Sequence, residues 1–215
     1  MPTATSEQIQ AVRKFCEHAK AVEESWGYWE AMTGFPDGNF EHGKAIHGVA
    51  PGFISYARRG LYGDALMGIG RLTDPEVMRG ERNLVWTEAI QIGLSIADRE
   101  GRFALEVAKR AFEESLVRSN VREVRNKIIA HLDRAVVLGQ VRLPDSDIWD
   151  VGTVVRVLGS MRCRLEAVID SRPVSVPARE NAHQDPADQE RRNDELARLA
   201  ALVPRSQSAA AVTDV

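Results

Sequence analysis

Cysteine, long apolar runs and a leader pattern are all scarce or missing in this chain of 215 residues. Its two cysteines, Cys16 and Cys163, stand far apart without a CxxC pair or a nearby histidine, which argues against both a zinc site and a disulfide scaffold. No apolar run approaches the roughly 18 residues that cross a bilayer. The start, MPTATSEQIQ, lacks the basic and apolar parts of a secretory signal. These absences predict a cytoplasmic protein with two buried thiols, no metal and no cofactor.

An excess of positive charge is also missing, since the formal net charge is −3. This excludes a broadly cationic coat for nucleic acid, although it leaves room for an enzyme that touches RNA locally. Basic residues do gather in one short segment, against only Glu123 and Asp133: Arg118, Arg122, Arg125, Lys127 and Arg134. This local excess of positive charge is as large as the cleft of a nuclease needs. For Arg118, Arg122 and Arg134 taken singly, a solvated helix face is the preferred interpretation.

Alternating strand patterns with hairpin turns are absent as well, and helical periodicity takes their place. The sequence predicts an all-α fold, a bundle of about five helices over residues 1–172. The expected helices cover about residues 5–31, 51–72, 83–94, 95–138 with a bend near Ser119-Asn120, and 148–169. Residues 33–43 are expected to form a loop, with no zinc pair at His42 and His47. Residues 173–215 are Pro-rich and charged, which predicts a linker, a short helix over 188–202 and a disordered tail.

The local signals within these helices indicate packing. A Thr5–Gln8 capping box begins the first helix, which carries an aromatic stripe that is typical of a core. The second helix has four glycines, Gly60, Gly63, Gly68 and Gly70, which favour close helix–helix approach. Thr73-Asp74-Pro75-Glu76 predicts a helix stop followed directly by a new helix. Arg71 is expected to pair with Asp74 or to cap the preceding helix.

Residues 121–138 are the segment with the clearest chemical pattern. On a helix, Val121, Val124, Ile128 and Leu132 form one apolar stripe, and Arg125 and His131 border it on either side. A helix that only covered a core would carry such groups on its far side. If a second copy of the chain covers the stripe, the two-fold axis brings two Arg and two His into one cleft.

Arg125-Asn126, four residues and His131 resemble the R-x(4–6)-H motif of the HEPN superfamily, small helical domains that often act as ribonucleases. The longer string RNKIIAHLD resembles the abortive-infection, AbiU-like branch. GRLTDP, residues 70–75, followed by Asn83-Leu84 is similar to a block of that branch. The resemblance spans about residues 26–171. It implies a HEPN-like bundle and a homodimer with a composite cleft, in which Arg125, His131 and Asn126 are the catalytic residues.

The expected chemistry needs no metal, because RNA carries its own nucleophile in the 2′-hydroxyl. The resemblance gives proton transfer to His131 and phosphate binding to Arg125, with Asn126 orienting either one. A metal-independent endoribonuclease of phage defence or of a toxin–antitoxin pair is the leading hypothesis. A non-catalytic module that binds RNA or nucleotide, and a helical dimer scaffold, stay open, since Arg125 and His131 are also compatible with structural roles.

The expected partners are an RNA substrate, a second copy bound through residues 121–138, and an antitoxin or another defence protein. One departure from the family pattern concerns the antitoxin. HEPN toxins paired with nucleotidyltransferase antitoxins carry a modified Tyr two residues after the His, and this chain has Asp133 there. Control by modification of that tyrosine is therefore not expected.

Overall fold

The computed structural model describes residues 4–34, 40–78, 80–125 and 148–170, and its architecture there is all-α with one small hairpin. Seven helical segments cover these ranges: α1 (Ser6–Thr33), α2 (Phe40–Val49), α3 (Pro51–Thr73), α4 (Trp86–Ile96), α5 (Arg99–Ser119), α6 (Val121–Val124) and α7 (Ile148–Ile169). Strands β1 (Val77–Met78) and β2 (Glu81–Arg82) pair antiparallel between α3 and α4. The all-α prediction is confirmed.

Two compact units divide these residues. The first contains the chain up to Trp26 and from Tyr62 onward, and the second contains Gly27–Leu61. In the first unit α5 packs along α7, and α4 packs against both. Trp86 of α4 meets Phe112 of α5 edge-on, with ring centroids 5.4 Å apart. This unit also holds both sequence landmarks, the RLTDP block and Arg125.

The second unit has its own small core, formed by Ala31, Met32, Ile46 and Ile54. Within it, the Arg58 guanidinium donates hydrogen bonds to the backbone carbonyls of Met32 and Gly43. Burial lowers the pKa of Arg58. The loop predicted over residues 33–43 is wrong at its end, because α2 already begins at Phe40.

The predicted start of α1 is confirmed. The Thr5 N–H donates to Gln8 Oε1 at 2.9 Å, and the Gln8 N–H donates to Thr5 Oγ1 at 3.2 Å. The aromatic stripe is core, as expected, and all its members are buried: Val12, Phe15, Ala19, Val22, Trp26 and Trp29. Helix α7 has the predicted bounds, Ile148–Ile169, and buries its apolar side.

Three predicted boundaries are wrong. A hairpin follows Pro75 where a new helix was expected, and α4 begins at Trp86 because Asn83 belongs to that hairpin. The tract over residues 95–138 is not one helix, since α5 begins only at Arg99, where the Asp98 carboxylate accepts the Gly101 N–H at 2.7 Å. The interruption expected near Ser119-Asn120 is confirmed, and it is a full break: Asn120 adopts the left-handed conformation with φ of 51°.

The cysteine prediction is half wrong, because Cys16 is buried whereas Cys163 is exposed. Burial raises the pKa of the Cys16 thiol to about 12. None of the described helices is both long and apolar enough to cross a membrane. The predicted linker, helix and tail over residues 173–215 lie outside the described residues.

Candidate functional site

Arg125 follows the short helix α6 and keeps a helical backbone, with φ of −55° and ψ of −50°. Its N–H donates to the carbonyls of Val121 and Arg122. The left-handed turn at Asn120 redirects the chain before α6, and Asn120 O then accepts the N–H groups of Glu123 and Val124. Because Val121 and Val124 are buried, α6 is anchored in the core, and Arg125 begins from a fixed backbone.

The side chain of Arg125 forms an ion pair with Asp74, at the end of α3. Nη1 donates to Asp74 Oδ1 at 2.7 Å, and the two side chains are only 15% and 19% exposed. Charged hydrogen bonds of this length are stronger than neutral ones, and partial burial reduces their screening by water. The pair therefore joins two segments that are 51 residues apart in the chain.

Gly70, one turn before Asp74 on α3, supports the same side chain. A Cβ atom at Gly70 would overlap Arg125, lying 2.9 Å from Nε and nearer still to Cδ. Any residue larger than glycine would have to displace the guanidinium. The sequence prediction of close approach is confirmed at Gly68, which faces Val22, and at Gly70. It is wrong at Gly60 and Gly63, where nothing lies within 4 Å of an added Cβ.

Neighbouring residues hold the RLTDP block in place. The buried Thr73 hydroxyl donates to Ile69 O at 2.9 Å, and Arg122 donates to Thr73 O. On the other side of Asp74, Asn83 Nδ2 donates to Pro75 O at 2.8 Å, and the Asn83 N–H donates to Glu76 O at 2.7 Å. The block and the asparagine that follows it are thus parts of one hydrogen-bonded turn and hairpin.

One prediction about an arginine changes. Arg71 is exposed, and the Asp74 oxygen expected to pair with it accepts from Arg125 instead. Arg122 is exposed, as expected of a solvated face, and its guanidinium also donates to Thr73 O at the end of α3. Arg118 is exposed, as expected. Lys127 and Arg134 lie outside the described residues.

The other two candidate catalytic residues, Asn126 and His131, lie outside the described residues. So do Asp133 and the last two residues of the apolar stripe, Ile128 and Leu132. The first two stripe residues are described: Val121 is 0% exposed and Val124 3% exposed within a single chain. Because a single chain already buries both side chains, a second copy would have to contact the stripe at Ile128 and Leu132, and the dimer through residues 121–138 stays a prediction.

The described part of the site can position one guanidinium. Arginine offers a planar fork of donors that matches phosphate oxygens, and the ion pair with Asp74 restricts where that fork points. Sequence reasoning missed Asp74 and Gly70 as contacts of Arg125. The usable signal was that both belong to GRLTDP, the second landmark of the same family resemblance. No three potential metal-ligating side chains lie together within the described ranges.

Comparison with known proteins identifies a family. The family model of the HEPN AbiU2 domain, described as AbiU2, matches residues 6–170. No curated protein matches the chain, and neither does any solved structure. The matched range runs from the first residue of α1 past the end of α7, and it contains the RLTDP block, Arg125 and His131.

Proposed function

The chain belongs to the AbiU2 family of HEPN domains, and from that premise we propose that it is a metal-independent endoribonuclease acting as a toxin-type effector in abortive infection by phage. The observation that carries the proposal is the position of Arg125. The arginine of the R-x(4–6)-H motif is held by an ion pair to a second landmark within the matched range.

The proposed reaction uses the 2′-hydroxyl of RNA as the nucleophile. It attacks the adjacent phosphorus, the bond to the 5′-oxygen of the next nucleotide breaks, and a cyclic phosphate is left. His131 moves the proton from the 2′-hydroxyl to the departing 5′-oxygen, because an imidazole changes charge near neutral pH. Arg125 stabilises the negative charge that builds on the phosphoryl oxygens. Asn126 orients the arginine or the phosphate.

A second candidate, a module that binds RNA or nucleotide without cutting it, is favoured by one observation. Arg125 Nη1 already donates to Asp74 at 2.7 Å, which is also what a purely structural arginine would do. Such a module would keep the fold and the phosphate affinity but would lack turnover. A helical dimer that serves only as a scaffold is the third class, and it predicts neither RNA binding nor cleavage.

Partners and location follow as parts of the proposal. The RNA is met in the cytoplasm, and a second copy completes the cleft through the stretch of residues 126–138. Any antitoxin or defence partner acts otherwise than by modifying a tyrosine next to the motif, since Asp133 occupies that place.

The proposal is tested by incubating purified protein with structured and unstructured RNA, in the presence of EDTA. We expect cleavage with 2′,3′-cyclic phosphate ends, and His131→Ala should lower its rate by about 10²-fold or more, the usual contribution of a general acid–base group. Arg118→Ala is the matched control, because it removes a nearby exposed cation. Full activity of His131→Ala, or loss of wild-type activity on chelation, would contradict the proposal. RNA that is bound but left intact would indicate the binding module.

A further inference from the structure

We infer that Asp74 and Gly70 are positioning residues for Arg125, so that the RLTDP block works as part of the cleavage site. The inference extends the proposed function and rests on it, because the positioning of Arg125 has a role in cleavage only if the protein cleaves RNA. The inference depends on the position of Arg125 between the Asp74 carboxylate and Gly70 of α3. All three residues belong to the first unit of a single chain.

The contacts with Asp74 and Gly70 restrict the conformational freedom of the Arg125 side chain. A long side chain that begins from a helix can take many rotamers, and only some would direct its donors toward a phosphate. Asp74 Oδ1 accepts from Nη1 and thereby fixes the far end of the side chain. Cδ, Nε and Nη1 lie against the surface of α3 at Gly70. Packing of the side chain from Cδ to Nη1, together with the hydrogen bond that Nη1 donates, defines its direction.

Asp74 is itself held in place by neighbouring hydrogen bonds. The carboxylate is carried by a turn whose two flanks are tied down, by Arg122 at Thr73 O and by Asn83 at Pro75 O. A carboxylate on a mobile loop would move with the arginine, whereas a carboxylate on an anchored turn can fix the orientation of the arginine. Asp74 therefore has the support that a positioning group needs.

The charge of Asp74 also affects how Arg125 can interact with a phosphate. A carboxylate beside the arginine lowers the net positive potential offered to a phosphate, so Asp74 is a poor choice if only phosphate affinity matters. It is a suitable choice if orientation matters more, because a charge-assisted hydrogen bond is both strong and directional. The arrangement thus favours placement of the guanidinium in the reacting geometry over tight binding of RNA.

The variants that test this are matched in pairs. Gly70→Ala places a methyl group on the arginine, and Gly60→Ala adds the same group to the same helix where nothing lies within 4 Å. Asp74→Ala removes the acceptor, whereas Asp74→Asn keeps an oxygen that can accept from Nη1. Glu76→Gln alters the exposed Glu76–Arg82 ion pair nearby and serves as the charge control.

Two readouts are needed, cleavage kinetics and the NMR resonance of the Arg125 Nε–H group, assigned by its loss in Arg125→Lys. We expect Gly70→Ala and Asp74→Ala to shift or broaden that resonance. They should also lower kcat by about 10²-fold, the effect of misplacing a reacting group by about 1 Å, with a smaller change in KM. Asp74→Asn should regain most of the lost kcat, and Gly60→Ala and Glu76→Gln should behave as wild type. If Gly70→Ala does not fold, the two Asp74 variants decide.

The outcomes separate this inference from the proposed function. An Arg125 resonance that is unchanged in Asp74→Ala and Gly70→Ala overturns the positioning role. A changed resonance with unchanged kcat overturns it too, because a displaced arginine would then have no effect on cleavage. If the wild type never cuts RNA but the resonance changes as expected, the proposed function fails, and the structural positioning of Arg125 stands without a role in cleavage.

Discussion

Arg162 of α7 and Glu23 of α1 form a two-point ion pair, with Nε donating to Oε1 at 2.6 Å and Nη2 to Oε2 at 3.2 Å. The third donor, Nη1, reaches Glu166 Oε2 at 2.7 Å. Burial alone would lower the pKa of Arg162, but the hydrogen bonds and charge of Glu23 outweigh it, so that the pKa is raised. The pair ties the two helices together at a point where the side chains of Arg162 and Glu23 are only 16% and 17% exposed.

Replacing this arginine should destabilise the first unit. Arg162→Ala leaves Glu23 partly buried without its partner, and we expect the free energy of unfolding to fall by about 3 kcal/mol. Lys14→Ala removes one partner of the Lys14–Glu17 pair, which is 55% and 62% exposed, and should change stability by less than about 1 kcal/mol. Urea denaturation of both variants checks the prediction. Equal effects would show that the Arg162 pair contributes no more than a surface pair.

Close packing between α4 and α7 predicts a second contrast, between two glycines. A Cβ at Gly93 would lie 2.6 Å from Leu165 Cδ2 and 3.2 Å from Leu105 Cδ1, so Gly93→Ala should cost about 1–3 kcal/mol through overpacking. Gly60→Ala meets nothing and should stabilise α3 by up to about 1 kcal/mol. Thermal unfolding of the two variants should move in opposite directions. A stabilised Gly93→Ala would contradict the packing described here.

The two cysteines should differ in reactivity. Cys163 is exposed, whereas Cys16 is buried with its pKa raised to about 12, so a thiol reagent at pH 8 should label Cys163 in the folded protein and Cys16 only after unfolding. Mass spectrometry of the labelled peptides distinguishes them. If Cys16 were labelled as fast as Cys163 under native conditions, the result would contradict the burial of the Cys16 side chain on α1.

The same burial predicts a pH dependence of stability. Because the pKa of Cys16 is higher in the folded state, its contribution to stability is complete below the unfolded value of about 8.5 and is lost as the pH rises toward 12. Between pH 8 and pH 10.5 the wild type should therefore lose more stability than Cys16→Ala does. Parallel pH profiles for the two proteins would count against the shift.

The proposed dimer now depends on Ile128 and Leu132, the residues of the apolar stripe that follow Arg125. Val124→Glu should unfold the chain, because Val124 is 3% exposed within one copy. Ile128→Glu should instead give folded monomers without cleavage activity, if a second copy covers that position. Light scattering and circular dichroism separate the two results. An Ile128→Glu monomer that still cuts RNA would place the whole site within one chain.

The features that local sequence determines were predictable. The Thr5–Gln8 capping box and the periodicity of α7 depend on residues three or four apart, and the structure follows both. Helix α2 was missed because the Gly, Pro and Asp-Gly content of residues 33–43 suggested a loop, while Ile46 stabilises the helix by packing with Ala31 and Met32. The hairpin was missed because two-residue strands are too short to show alternation.

The candidate site was predictable only in part for a similar reason. Arg125 could be chosen from its motif and its place beside an apolar stripe. Its contacts with Asp74 and Gly70 join segments far apart in sequence, and a local interpretation gave Asp74 to Arg71 and Gly70 to general helix packing. The burial of Val121 and Val124 within one chain could not be predicted, because an apolar stripe has the same sequence pattern whether its own chain or a second copy covers it.

The central claim is that Arg125 and His131 act on RNA, and mapping of RNA ends in a host that expresses the protein tests it most directly. Wild type and the Arg125→Ala/His131→Ala double variant are expressed to equal levels, with equal folding checked by thermal unfolding. The account predicts that cells with the wild type contain new RNA ends at recurring positions. Cells with the double variant should contain none of these ends. The same ends in both cultures, or no new ends in either, would contradict it.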